Sequence, residues 1–218
     1  VNSENPWLSW TYVQEHWRQL LTVGLEHLGI TVSAMALACA VAIPLALLAR
    51  RRPGLSGSIV GLSGVLYTIP SLALISVLWP VFGLSPLTVV IALAVYALLV
   101  MVRSILVGLS EVPAASVDAA VGMGMADREL LWRVQAPLAL PTILAGLRIA
   151  TVSTVGMVTV GALVGYGGYG SMILAGLYEN SYHAKIATAT ICVVLLALVL
   201  DGLLLLLEHR ATPWARGR

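Results

Sequence analysis

The chain has 218 residues, a formal net charge of +2, 59% hydrophobic residues and only 10% charged ones, with a mean hydropathy of +0.95. Soluble domains carry about 25% charged residues, so this composition excludes an ordinary soluble enzyme, and so small a charge gives no reason to expect a nucleic-acid binder. The expectation is an all-α polytopic membrane protein forming a single transmembrane domain over residues 1–218.

Residues 1–19 are polar and aromatic, with no visible cleavable signal peptide. Residues 6–26 read as an amphipathic helix lying on the membrane surface, anchored by Trp7, Trp10, Tyr12 and Trp17. A spanning helix needs about 20 mostly apolar residues. Five segments meet that length: 27–49, 57–79, 84–109, 139–163 and 184–207. Arg50, Arg51 and Arg52 follow the first span. Arg128 and Arg133 lie between the third and fourth, and Arg210, Arg216 and Arg218 follow the fifth. Arg18 and Lys185 belong to the opposite side. The positive-inside rule then puts the N-terminus outside, the C-terminus inside, and the loop at 115–137 in the cytoplasm.

Small residues mark packed surfaces. Gly57, Gly61 and Gly64 share one side of the second span, and Gly161 and Gly165 are four apart. Such spacing lets helix backbones approach closely, either within one subunit or between subunits. Pro70 interrupts the second span and frees a backbone carbonyl there. Gly165-Tyr166-Gly167-Gly168-Tyr169-Gly170 matches a dinucleotide fingerprint in letters only. It lacks the strand–turn–helix setting and reads as a flexible turn or gate.

Catalytic and metal chemistry find little support. No two of His16, His27, His183 and His209 have metal-ligand spacing with a third candidate, and none lies mid-span beside a nucleophile. The lone lysine, Lys185, is not in a Gly-Lys-Ser/Thr phosphate loop. Any ATP hydrolysis must therefore come from a separate subunit. Cys39 and Cys192 lie within apolar runs and read as small buried hydrophobes. Arg103, Arg148 and Asp201 intrude near the inner face, where unpaired charge is expensive. An ion pair of Asp201 with Arg148 or Arg103 is expected, with a proton relay as the alternative. Polar residues gather in the middles of the second and fourth spans: Tyr67, Thr68 and Ser71, then Thr151, Ser153, Thr154 and Thr159. They either bond back to their own helices or line a shared pathway.

The most telling stretch is polar: Asp118-Ala119-Ala120, then Gly124, then Val134-Gln135-Ala136-Pro137. Small residues, a glycine and a closing proline describe two short helices around a turn. Met123 and Met125 supply flexible apolar side chains for a groove. Asp127 and Glu129 suit the start of the second helix. Arg128 and Arg133 can reach acidic groups on a partner, and Pro137 should stop that helix before the fourth span.

This spacing resembles the EAA loop of bacterial ABC-importer permeases, with Asp118 for Glu, Val134 for Ile and Ala136 for Leu. Thr68-Ile69-Pro70-Ser71-Leu72-Ala73-Leu74, Val121-Gly122-Met123-Gly124-Met125, the 165–170 glycine run and the tail Thr212-Pro213-Trp214-Ala215-Arg216 are similar to the glycine betaine/carnitine/choline permeases. The resemblance implies a type I importer permease in the bacterial cell membrane. It also implies partners: ATPase subunits holding ATP and Mg, a second permease copy or close relative, and an extracytoplasmic substrate-binding protein. Some members fuse that binding domain at the C-terminus; this sequence stops at Arg218, so a separate one is expected. This chain itself is expected to bind no cofactor or metal. The implied cavity lies where permease subunits face each other, with Tyr67, Ser71, Thr154 and Met157 expected to line it and the glycine run to close it outside. Alternatives are the same fold carrying an amino acid or a betaine-like compound, and an autonomous channel or secondary carrier.

Overall fold

The computed structural model describes residues 5–214. Ala215, Arg216 and Arg218, used above for the tail resemblance and the charge asymmetry, lie outside the described residues. Nine α-helices appear among the described residues, and no strand: α1 (Trp10–Arg51), α2 (Pro53–Thr68), α3 (Ser71–Phe82), α4 (Pro86–Ser110), α5 (Ala114–Gly122), α6 (Asp127–Leu130), α7 (Ala136–Val158), α8 (Tyr169–Tyr178) and α9 (His183–Ala211).

The expected surface helix at 6–26 is not a separate element. From Trp10 it runs unbroken into the first span, making α1 42 residues long, or about 63 Å at 1.5 Å per residue. That is about twice the hydrocarbon thickness of a bilayer, about 30 Å. Ser9 caps it by accepting from the Tyr12 N–H at 3.2 Å. The aromatic start hides the continuity, because Tyr12 and Leu20 are buried against α8 and α9 rather than facing a surface.

Ala34, Ala38, Ala42 and Ala46 recur every fourth residue of α1 and are fully buried. Side chains this small let α1 lie close along α4, whose Ala94, Ala97, Leu98, Met101, Val102 and Ile105 complete the core with Ala150 of α7. Helix α4 is thus the hub, packed on α1, α7, α2 and α3. Gly146 of α7 faces Ser104 of α4 so closely that any Cβ would overlap that side chain. Helix α9 lies at the periphery, against α7 and α8, and its most apolar stretch is open along its outer side.

The second span departs from a straight helix. Helices α2 and α3 meet at Ile69–Pro70 with a bend of 95°. At 16 and 12 residues they are about 24 and 18 Å long, each too short to cross alone. Pro70 has no N–H to continue the ladder, and the Tyr96 hydroxyl of α4 donates to the Ile69 carbonyl at the corner. Gly57, Gly61 and Gly64 have nothing of their own chain within 4 Å of a would-be Cβ, so this stripe does not serve packing inside the subunit. Gly161 does: its Cβ position is occupied by Val89 of α4 and the Tyr166 carbonyl.

Pro137 does not stop a helix. Residues 127–164 form one continuous helical rod, because Leu131–Gln135 opens into a π turn just ahead of α7. That turn shifts the carbonyl ladder where proline would otherwise clash and leave a bond unmade. At the other end of α7, Thr159–Val164 tightens into a 3-10 turn that ends on Gly165 at φ +88°.

Candidate functional site

The loop between α4 and α7 forms an exposed knob. Helix α5 ends at Gly122, and the chain reverses through Gly124 at φ +84°, a left-handed conformation that glycine adopts at little cost. The reversal is closed by Gly124 N–H to the Val121 carbonyl (2.9 Å) and Met125 N–H to the Ala120 carbonyl (3.2 Å). Met123 is 71% exposed and Val121 56%. Asp118, Ala119 and Arg128 are also exposed, Met125 is half-buried and Ala120 is buried. The knob therefore offers two apolar side chains flanked by charge, a form suited to a partner's groove.

One ion pair holds the knob to the bundle, and a second braces the helix that leaves it. Arg50 at the end of α1 pairs with Asp127 at 2.9 Å, and Glu129 pairs with Arg133 one turn on at 2.8 Å. Asp127 thus clasps α1 rather than capping α6, whose N-cap is Ala126. Thr142 of α7 donates to Glu111 at the end of α4 at 2.7 Å. The base of the loop is in this way fastened to the ends of α1, α4 and α7.

Deeper in the bundle, Arg148 of α7 donates through Nε to Asp201 Oδ1 (2.9 Å), through a terminal nitrogen to Asp201 Oδ2 (3.0 Å), and through the other to Glu208 Oε2 (3.2 Å). Arg103, expected as a possible partner, is exposed on α4 and takes no part. Glu208 was missed by the sequence reading, although its spacing of seven from Asp201 places both on one face of α9. Arg148 and Asp201 line an open groove of about 790 Å³ between α7 and α9, together with Ser153 and Gly156.

The four expected pathway residues separate. Tyr67, 49% exposed, sets its ring edge-on to Tyr96 at 5.9 Å. Ser71 opens α3 directly after the bend. Met157 is half-buried between the Val158 and Tyr96 clusters. Thr154 does not share their surface: it is 3% exposed, bonding to the Ala150 carbonyl at 2.8 Å and to the Met35 sulfur of α1 at 3.5 Å. A side chain enclosed by helices of its own chain cannot line a cavity between subunits.

At the far end, the glycine run is a built turn rather than a slack one. Gly165 and Gly168 have positive φ, and a Cβ on Gly168 would fall on His27. The Gly168 N–H reaches Glu26 Oε1 and the Tyr169 N–H reaches His27 Nδ1, both at 3.3 Å. The other nitrogen of His27 lies 2.9 Å from the Val155 carbonyl. Helix α8 then begins directly on Tyr169, an element the sequence reading did not anticipate.

The comparisons with known proteins cover this whole architecture. The family model described as "Binding-protein-dependent transport system inner membrane component" matches residues 17–213. The carnitine transport permease protein OpuCB of Listeria monocytogenes is 36% identical over 94% of this chain and 94% of its own length. The osmoprotectant import permease protein OsmW of Salmonella typhimurium is 34% identical over 93% of this chain and 96% of its own. A chain of the inward-facing MetNI methionine ABC transporter superposes with a TM-score of 0.79 at 22% identity, covering 89% of this chain and 97% of that one, which is a likeness of fold. With the family model matched from Trp17 to Pro213, the chain belongs to the family of binding-protein-dependent transport-system inner membrane components.

Proposed function

We propose that this transport subunit is the permease of an ATP-driven importer for a compatible solute such as glycine betaine, carnitine or choline. The observation that carries the reading is end-to-end likeness: relatives named for carnitine and osmoprotectant import align over more than nine-tenths of both chains. In this reading ATP and Mg are bound by separate ATPase subunits, and an extracytoplasmic protein delivers the solute. A second permease copy or close relative covers the open sides of α2 and α9.

Asp118, Ala119, Ala120, Met123, Gly124, Met125, Arg128, Arg133 and Pro137 form the coupling region. The exposed knob receives the ATPase stroke, and the Arg50–Asp127 pair passes it to α1. The knob and Arg50, Arg51, Arg52, Arg128, Arg133 and Arg210 lie on the cytoplasmic side by the positive-inside rule, with the N-terminus outside. Tyr67, Ser71 and Met157 contribute to the pathway at the bent span.

Reconstitution tests this directly. Proteoliposomes containing the permease, its ATPase and the binding protein should accumulate labelled glycine betaine, carnitine or choline only with ATP inside. Uptake without ATP or ATPase would instead make the chain an autonomous channel or carrier. ATP-driven uptake of an amino acid alone would keep the fold and reject the cargo.

A further inference from the structure

Along the flank between α1 and α7 two apolar cavities share Cys39 and Leu147 and so form one crevice. The upper part, about 290 Å³, reaches Thr31 and Leu204. The lower, about 320 Å³, is lined by Cys39, Ile43, Leu47, Ile105, Trp132 and Ile143 among others. Ile43 is 45% exposed and Trp132 57%, so the lower part opens sideways at these two residues.

Its dimensions match a lipid tail. Cys39 and Leu47 are separated by about 12 Å of helix rise, and one leaflet of the hydrocarbon core is about 15 Å deep. The lining is almost wholly apolar, and the aromatic at its mouth is of the type enriched at membrane interfaces.

The charge at the mouth selects the headgroup. Arg51 stands one turn beyond Leu47 on α1, and Arg128 one turn before Trp132, so each shares a helix face with a lining residue. Both are exposed. Arg50 and Arg133 are committed to Asp127 and Glu129, whereas Arg51 and Arg128 make no ion pair among the described residues. Basic groups between transmembrane helices are suited to anionic headgroups.

We propose that the α1–α7 crevice is a binding site for an anionic phospholipid, its acyl chain between Cys39 and Leu47 and its phosphate held by Arg51 and Arg128. The lipid fills the flank beside the Arg50–Asp127 clasp, so its presence stiffens the joint between α1 and the loop. The proposal rests on the membrane-spanning fold and is independent of the cargo.

Native mass spectrometry of the full chain, solubilised with phosphatidylglycerol and phosphatidylcholine supplied equally, reads it out. Phosphatidylglycerol should be retained over phosphatidylcholine on the order of tenfold. Arg51→Gln with Arg128→Gln, both at exposed positions, should bring that ratio to about one. Ile143→Trp, which fills the slot, should lower retention of both lipids. Inorganic phosphate should not displace the lipid, since the tail supplies much of the affinity. Equal retention of the two lipids by the unmodified chain, an unchanged ratio in the double arginine variant, or displacement by phosphate would each overturn the site. Where Ile143→Trp fails to fold, the arginine variant still decides.

Discussion

His27 Nε2 lies 2.9 Å from the carbonyl oxygen of Val155, across 128 residues of sequence. Because Nδ1 of the same ring accepts from the Tyr169 N–H, Nε2 must carry the proton and donate. One fully buried neutral imidazole thereby ties α1, α7 and the glycine turn together. His27→Ala orphans a carbonyl and an N–H, each costing about 1–3 kcal/mol when buried. The expected result is a clear fall in thermal unfolding midpoint for the detergent-solubilised chain. An unchanged midpoint would mean that the ring does not bridge these elements.

The same bridge separates two glycines of the turn. Both Gly165 and Gly168 have positive φ, but only at Gly168 does a Cβ meet anything, namely His27. Gly165→Ala should therefore cost only backbone strain, about 1–2 kcal/mol. Gly168→Ala adds an overlap with buried side-chain and backbone atoms and should abolish folded protein or nearly so. Comparing the two variants by size-exclusion profile and melting point checks this; equal behaviour would contradict the packed turn.

Arg148 is shared by two carboxylates, which makes the triad asymmetric. Asp201→Asn leaves Arg148 its bond to Glu208, and Glu208→Gln leaves it Asp201. Arg148→Gln leaves two neighbouring acids with no cation in an apolar setting, where lone charge is expensive. The folded yield should fall most for Arg148→Gln and recover partly when Asp201→Asn and Glu208→Gln are added. Arg103→Gln should leave it near the unmodified level. Strictly additive effects would show that the three do not act as a unit.

These outcomes mark where sequence was legible. Uninterrupted apolar runs located α4 and α9 within a few residues, because length and hydropathy alone decide a span. Pro70 announced a break, but neither its 95° angle nor the Tyr96 hydroxyl that donates to the corner carbonyl, a contact no local pattern encodes. The π turn that carries the helix past Pro137 is likewise a tertiary solution. Thr154 was misread because polarity says that a residue needs a partner, not on which side of the helix the partner stands; Met35 and Ala150 supplied it. The alanine ladder of α1 stands in the sequence at spacing four and makes the close helix contact, whereas the more conspicuous glycines of α2 leave a would-be Cβ in open space.

Topology is tested by labelling. With Cys39 and Cys192 replaced, single cysteines at positions 5 and 126 report opposite ends of the bundle. The arginine asymmetry predicts that an impermeant maleimide added outside intact cells modifies position 5 and spares position 126. The reverse would put the loop outside and remove any access for a cytoplasmic ATPase.

Gly124 offers the sharpest test of coupling because its two requirements can be separated. Its φ of +84° demands a left-handed backbone, while nothing within the chain lies within 4 Å of a would-be Cβ. Asparagine tolerates that conformation better than other side chains, and a β-branched residue tolerates it worst. If the turn alone matters, Gly124→Asn should preserve ATP-driven uptake while Gly124→Val loses it. If the partner's groove closes on the turn, both should lose uptake, since either side chain fills the space beside Met123. In each case the isolated permease should still fold, because the knob is exposed and the strain is only about 1–2 kcal/mol. The measurement is uptake together with substrate-stimulated ATP hydrolysis by the assembled complex. Full stimulation and uptake in Gly124→Val would remove this loop from the transmission path.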